Sequence, residues 1–286
     1  MIVLLKSVLG VFAAIYGFAF SVDFARNRDT LSRAPWPALA GTGFVTNFLD
    51  TLGIGSFAQQ TALFKFFRLV DDRVIPGTLN VGNTLPTVCQ AFIFMTVVKV
   101  APLTLVSMAV AAPIGAALGA GVVSHWPRRR VELGLGLALL AIALAMLAGL
   151  LHWFPRGGEA TGLTGGKLVL AAAVSFGLGA VHTIGVGFYA PCMALVYALG
   201  MSPRVAFPIM MTSTAMLISA ASLRFIGEKA HDRKACLNLA VFGALGVLLA
   251  AYIVVSLPLT ALKWVVLAVI IYTSAVMIRS SLRPDS

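Results

Sequence analysis

Apolar residues run through this chain in blocks of membrane-spanning length, separated by short clusters of charged residues, glycine and proline. A span needs roughly 20 mostly apolar residues. Ile2–Val22, Ile75–Val97, Ala101–Val123, Val131–Trp153, Ala235–Leu257 and Leu259–Met277 meet that length, and each predicts a helix. A further helix is expected over 204–226. Between these blocks lie four shorter apolar pieces, Pro37–Leu52, Ser56–Leu69, Lys167–Ile184 and Phe188–Gly200. They form two pairs, each interrupted by glycine.

The two interruptions are one pattern written twice. Asp50-Thr51-Leu52-Gly53-Ile54-Gly55 returns 132 positions later as His182-Thr183-Ile184-Gly185-Val186-Gly187. The register holds without a gap from Phe44/Phe176 to Leu85/Leu217 and carries Ala58/Ala190, Ala62/Ala194, Leu63/Leu195 and Pro76/Pro208. Apolar sequences match often by chance, so the spacing of glycines and proline weighs more than the number of identities. Duplicated, glycine-broken segments at membrane depth are how secondary transporters build a substrate site.

Composition fixes the class. With 59% hydrophobic and 11% charged residues and a mean hydropathy of +0.96, the chain lies outside the soluble range. The net charge of +11 offers no basic domain for nucleic acid; the cations sit in loops as anchors. The length of the first apolar run favours a retained helix over a cleaved leader. Fifteen basic residues fall on one set of loops: Arg26, Arg28, Arg33, Lys65, Arg68, Arg73, Arg128–Arg130, Arg224, Lys229, Arg233, Lys234, Arg279 and Arg283. Six fall on the other: Lys6, Lys99, Arg156, Lys167, Arg204 and Lys263. The positive-inside rule then puts the N-terminus outside and the C-terminus in the cytoplasm, with a bacterial inner membrane as the expected location.

This orientation has a topological consequence. Two short pieces return the chain to its starting side and three full helices follow, so each repeat makes an odd number of crossings. The second repeat therefore enters from the opposite face. The expected fold is an all-α integral membrane protein with two inverted-topology repeats. Each repeat has a broken re-entrant helix pair plus three transmembrane helices, and one N-terminal transmembrane helix precedes them. The expected organisation is 1–36 for the N-terminal helix and basic loop, 37–153 for repeat 1, 154–166 for a linker and 167–281 for repeat 2. The glycine breaks are expected to meet near the bilayer midplane. Ser56–Leu69 reads as re-entrant, because its 14 residues reach about 21 Å against a hydrocarbon core of about 30 Å.

Candidate chemistry gathers at the breaks. Asp50 and His182 are ionisable groups at membrane depth, costly there and by default functional; proton coupling is the expected role, with close approach of the pair as one consequence of pseudo-symmetry. The bland alternatives are a helix cap or buried hydrogen bond for Asp50 and a neutral, bonded imidazole for His182. Asn47, Thr51, Ser56, Gln59 and Gln60, with Asn80, Asn83 and Thr84 on the next helix, offer polar groups to an anion. Thr183, Tyr189, Thr212, Ser213 and Thr214 take the corresponding places, against the alternative of interhelical polar contacts. Gly53, Gly55, Gly185 and Gly187 free backbone N–H groups at the start of the following half-helix, a natural anion site. Lys65 and Arg68 read as cytoplasmic anchors whose stems snorkel. Cys89, Cys192 and Cys236 are scattered and odd in number, which argues against a disulfide framework or a metal site. Gly115, Gly119, Gly243 and Gly246 suggest close helix contacts.

The layout over residues 37–281 resembles the TauE/SafE sulfite-exporter family, also called toluenesulfonate-uptake permeases. The residues that carry it are Asn47-Phe48-Leu49-Asp50-Thr51-Leu52-Gly53-Ile54-Gly55, the later Pro76-Gly77-Thr78-Leu79-Asn80, and Gly115-Ala116-Ala117-Leu118-Gly119 echoed by Gly243-Ala244-Leu245-Gly246. Members of that family carry an acidic residue, a longer glycine run and a proline-containing half-helix. Here the run is Gly53-Ile54-Gly55-Ser56, and the proline stands only in the second copy, at Pro191. The resemblance implies transport of sulfite, sulfonates or related organosulfur anions; Asp50 and His182 make protons the expected coupling partner, and no cofactor is expected. A passive anion channel and a transporter of a non-sulfur anion are the alternatives. No metalloprotease helix, nucleophile elbow or phosphate loop is present in the sequence, which argues against an enzyme and against an ATP-driven pump. The oligomeric state is not encoded in any of these signals.

Overall fold

A computed structural model describes residues 1–28, 31–123, 127–151, 158–183 and 187–282. Gly185, His125, His152, Arg156 and Arg283 lie outside the described residues. Within them the chain forms eleven α-helices: α1 (Ile2–Arg26), α2 (Trp36–Thr51), α3 (Phe57–Phe66), α4 (Ile75–Val97), α5 (Pro102–Val123), α6 (Arg128–Leu150), α7 (Gly165–His182), α8 (Tyr189–Ala198), α9 (Pro203–Gly227), α10 (Arg233–Ser256) and α11 (Leu259–Leu282). Within the described residues each apolar block expected to be helical forms a helix, and α4 keeps the bounds read from hydropathy. Prolines open α5 and α9, where their missing N–H costs nothing.

Seven of these helices, α1, α5, α6, α7, α9, α10 and α11, are long and apolar enough to cross a membrane. The molecule is an all-helical integral membrane protein. α4 is 23 residues long yet is not among the seven. Asn80, Asn83, Thr84, Thr87 and Gln90 lower its hydropathy, and four of these five are buried inside the protein rather than offered to lipid. α3 and α8 have ten residues each, about 15 Å of helix, half of a hydrocarbon core of about 30 Å.

The chain packs as two compact units, each drawing helices from both halves of the sequence: Met1–Thr96 with Thr214–Ser256, and Val97–Ser213 with Leu257–Ser286. In the first unit α2 lies along α10. A Cβ added at Gly246 would overlap the carbonyl oxygen of Phe44, and one at Gly243 would press on the Asn47 amide, so only glycine permits this approach. In the second unit α5 lies along α7 in the same manner. Gly115 meets the Phe176 carbonyl, and Gly179 meets that of Ala112. Phe44 and Phe176, and likewise Asn47 and Gly179, are partners in the 132-residue register. Their contacts Gly246 and Gly115, and Gly243 and Ala112, both stand 131 apart. The second unit is completed by α6 on α11, where Ser274 Oγ donates to the Gly136 carbonyl (2.8 Å), and by α8, which packs on both.

α1 is fastened to the first unit by polar groups as well as by apolar packing. Tyr16 Oη donates to the Val81 carbonyl (2.6 Å) beside a cluster of Phe20, Ile226 and Cys236. At its C-terminal end Asp23 accepts two bonds from the Arg233 guanidinium (2.7 and 3.0 Å), a fork geometry that suits a carboxylate. His231 Nε2 lies 3.1 Å from the same carboxylate, with the imidazole buried. Burial pushes the His231 pKa down, reinforced by Arg233 and only partly opposed by Asp23. The unfolded chain therefore takes up a proton near the ordinary histidine value of about 6.5, while the folded protein takes it up only at lower pH. Stability from this group is fully present above about pH 6.5 and is lost as pH falls through the lower, folded value. Thermal unfolding in detergent between pH 7.5 and 5 should show a steeper loss in wild type than in His231→Gln; parallel curves would contradict this reading.

Candidate functional site

The first broken helix owes its break to backbone geometry. Gly53 N–H bonds the Asp50 carbonyl (2.8 Å) and Ile54 N–H bonds the Leu49 carbonyl (3.2 Å). This is the Schellman arrangement, with Gly53 in the left-handed region (φ 97°). Gly55 follows at φ 86° and the chain re-enters a helix at Phe57. The same closure ends both short helices. Arg68 (φ 51°) and Gly200 (φ 82°), again 132 apart, occupy the left-handed position after α3 and α8. Neither short helix receives a side-chain cap: Ser56 makes no capping bond and the corresponding residue before α8 is Phe188.

A helix of ten residues is marginal alone, and α3 is held from two sides. Phe64 enters an apolar cluster with Leu39, Leu69, Leu79 and Leu239. Gln60 enters a buried polar cluster made by α2, α3 and α4. Gln60 and Asn83 bond reciprocally, Gln60 Nε2 to Asn83 Oδ1 (2.9 Å) and Asn83 Nδ2 to Gln60 Oε1 (2.6 Å). Gln60 Nε2 also reaches Thr46 Oγ1 (2.8 Å), and Asn47 Nδ2 donates to the same Asn83 Oδ1 (2.9 Å). One turn further, Gln90 Nε2 donates to Asp50 Oδ2 (2.9 Å) and to Thr51 Oγ1 (2.8 Å). Asn47, Gln60, Asn83 and Gln90 are 0% exposed and Asp50 is 3% exposed. Groups buried so fully are costly unless bonded, which is why the network is so closely joined.

The network gathers five of the residues singled out in the sequence: Asn47, Asp50, Thr51, Gln60 and Asn83. It adds Thr46 and Gln90. Asp50 sits inside α2 and not at the head of α3, so it is not that helix's cap. Two neighbours fall outside the network. Asn80 is part-exposed and turns back to the Pro76 carbonyl (2.8 Å), and Gln59 turns back to that of Gly55 (2.9 Å). Thr84 pairs instead with Ser222 (2.7 Å).

The donors of the network are already committed. Thr46 and Thr51 hydroxyls bond carbonyls one turn back, and Asn47 and Asn83 spend their second N–H on the Gly43 and Leu79 carbonyls. What remains unmatched is acceptor: Asn47 Oδ1 and Gln90 Oε1 are buried with no hydrogen-bond partner. The sequence-based expectation that these amides would donate to an anion therefore needs revision, because their N–H groups point elsewhere.

In the second unit the corresponding residues are more apolar. His182 ends α7, edge-on to Phe188 (6.3 Å between ring centres). Thr183 bonds the Ala180 carbonyl (2.6 Å), and Ser213 that of Ile209 (2.8 Å). Thr212 Oγ1 and Ser175 Oγ are buried without a partner. Tyr189 is buried, Gly187 is exposed and Thr214 belongs to the first unit. Cys192 is fully buried on α8 and behaves as core. In the first unit Lys65 and Arg68 line a cavity of about 550 Å³ at the end of α3, with Arg33, Asp71, Asp72 and Asp232 around them; Lys65 pairs loosely with Asp72 (4.0 Å). This agrees with anchoring charges. No family model, no curated protein and no solved structure matches the chain.

Proposed function

We propose that this protein is a secondary transporter for small sulfur-containing anions of the sulfite or sulfonate type, working by alternating access. The observation that carries the reading is the buried polar cluster of Asn47, Asp50, Thr51, Gln60, Asn83 and Gln90 at a glycine-broken helix in an otherwise apolar helical protein. Lipid-facing helices do not need such a cluster, and irregular backbone at membrane depth belongs where protein or a wet cavity encloses it.

Two kinds of observation support an inverted-repeat architecture beneath this function. Gly246 of α10 and Gly115 of α5 make equivalent contacts with the Phe44 carbonyl of α2 and the Phe176 carbonyl of α7. The two short helices also end in the same left-handed closure. The anion's partners are the backbone N–H groups at the uncapped start of α3, beside the glycine break, where the helix dipole favours negative charge. The Asp50 cluster serves coupling, since a carboxylate among amides whose N–H groups are already committed repels an anion and attracts a cation. Amides and hydroxyls bonded in this way supply no nucleophile and base, so the reading is transport and not catalysis.

Flux into proteoliposomes tests it. Radiolabelled sulfite, thiosulfate and a short sulfonate are offered with and without an imposed cation gradient. Uptake of at least one, accumulated above equilibrium when the gradient is present, is the expected result. Flux that only follows the anion's own gradient would assign a channel. Uptake of cations with no sulfur anion moved would overturn the substrate class.

A further inference from the structure

From the balance of donors and acceptors in the α2–α3–α4 cluster, we infer that Asp50, Asn47 and Gln90 form a sodium site. The inference rests on the transport reading above and deepens it by naming the coupling ion. Each carboxamide has two N–H donors and one carbonyl oxygen. In Asn47 both N–H groups are used, on the Gly43 carbonyl (3.0 Å) and Asn83 Oδ1 (2.9 Å). In Gln90 both are used, on Asp50 Oδ2 and Thr51 Oγ1. Their orientations are fixed by these acceptors. A flipped Asn47 would set its oxygen against two carbonyl oxygens, and a flipped Gln90 would set its oxygen against a carboxylate. Asn47 Oδ1 and Gln90 Oε1 are thus left as oxygen atoms that no protein group satisfies, in side chains with no exposure.

Buried acceptors without donors are uncommon in folded proteins and call for a ligand. Here they stand on residues that flank one carboxylate, with Asn47 one helical turn before Asp50 and Gln90 bonded to it. The set contains only oxygen donors: a charged carboxylate, two neutral amide oxygens and the Thr51 hydroxyl. Oxygen ligands of this kind, one carboxylate among neutral oxygens, suit hard cations. A proton does less. It would neutralise Asp50 but would bring one donor to two unmatched oxygens, and it would weaken the Gln90 bond that Asp50 accepts. Sodium meets several oxygens at once and leaves that bond in place. A bound monovalent cation would also offset the charge of the anion at the neighbouring break.

The test is sodium binding by the full-length protein in detergent, without any anion substrate, so that it stands apart from the flux assay. Thermal unfolding is followed while NaCl replaces choline chloride at constant ionic strength. Ligands that bind only the folded state raise its stability with concentration, so a saturable upward shift is expected in wild type and in Thr61→Ala, which lies outside the cluster. The shift should be lost in Asp50→Asn and in Gln90→Leu. Should either variant fail to fold, binding of ²²Na⁺ to wild type in competition with choline and with protons gives the same answer. Equal shifts in sodium and choline, a sodium shift retained in both variants, or stabilisation by acid alone would overturn the proposal; the last would return the site to protons. Loss of sulfur-anion flux with sodium binding intact would fault the transport reading and spare the site.

Discussion

Asp50→Asn is expected to abolish gradient-driven accumulation of the anion while leaving passive exchange measurable. Asp50 is the ionisable member of the buried cluster and accepts a bond from Gln90 Nε2 at 2.9 Å. Asparagine has nearly the same shape, keeps one acceptor for Gln90 and removes the charge that a coupling cation requires. Packing of α2 on α10 should survive, because that contact depends on Gly243, Gly246 and the α2 backbone. The readout is counterflow against net uptake in the same proteoliposomes. Unchanged accumulation would remove Asp50 from coupling. Loss of both activities with normal thermal stability would place it in the anion path itself.

Gly115→Ala and Gly246→Ala should be strongly damaging single-methyl changes in the membrane helices. At each position the added Cβ would overlap a backbone carbonyl oxygen, of Phe176 or of Phe44, and a backbone atom cannot swing aside as a side chain can. Relief requires separating α5 from α7 or α2 from α10. Overpacking typically costs 1–3 kcal/mol and more where backbones collide, so a loss of about 3 kcal/mol is expected for each. Gly121 makes a fair control, since a Cβ there meets nothing within 4 Å. Alanine there should change stability little. Thermal unfolding in detergent separates the cases, and equal stability of Gly115→Ala and Gly121→Ala would contradict the packing described.

The elements were legible because a membrane makes hydropathy an almost direct readout of helix position. α4 runs over Ile75–Val97 as read from the sequence, and the ends of α2 and α3 lie within a few residues of the expected pieces. The break between them was legible as well, since positive φ at Gly53 and Gly55 is what two closely spaced glycines permit. The partnership of helices was not. Nothing local in α2 says that its neighbour is α10, more than 180 residues later; that follows from matching Gly43 and Gly246 to the facing Asn238 and Phe44 carbonyls and Gly243 to the Asn47 amide.

The site was half legible. Asn47, Asp50, Thr51 and Gln60 surround the break, and Asn83 stands among the polar residues of the next helix. Gln90 was missed, although Asn83, Thr87 and Gln90 follow the spacing of one helix face, and a search of α4 by face would have found it. Asn80 follows the same spacing one turn earlier, but it is part-exposed there and bonds the Pro76 carbonyl within its own helix. The direction of the amides was out of reach. Whether Asn47 presents N–H or oxygen to a ligand depends on Gly43 and Asn83, and only their placement decides it. Likewise Asp23 reads as an ordinary residue near a helix end, and its bonds with Arg233 depend on a segment 210 positions away.

The account depends on the second copy entering the membrane upside down relative to the first. Arg33 and Thr164 precede α2 and α7 at nearly equivalent positions, and both are exposed. In a protein whose three native cysteines are replaced, single cysteines at these positions are labelled with a membrane-impermeant maleimide in intact cells and in inside-out vesicles. Labelling of Thr164→Cys from the outside and of Arg33→Cys only from the cytoplasmic side is the predicted result. Labelling of both from the same side would contradict it.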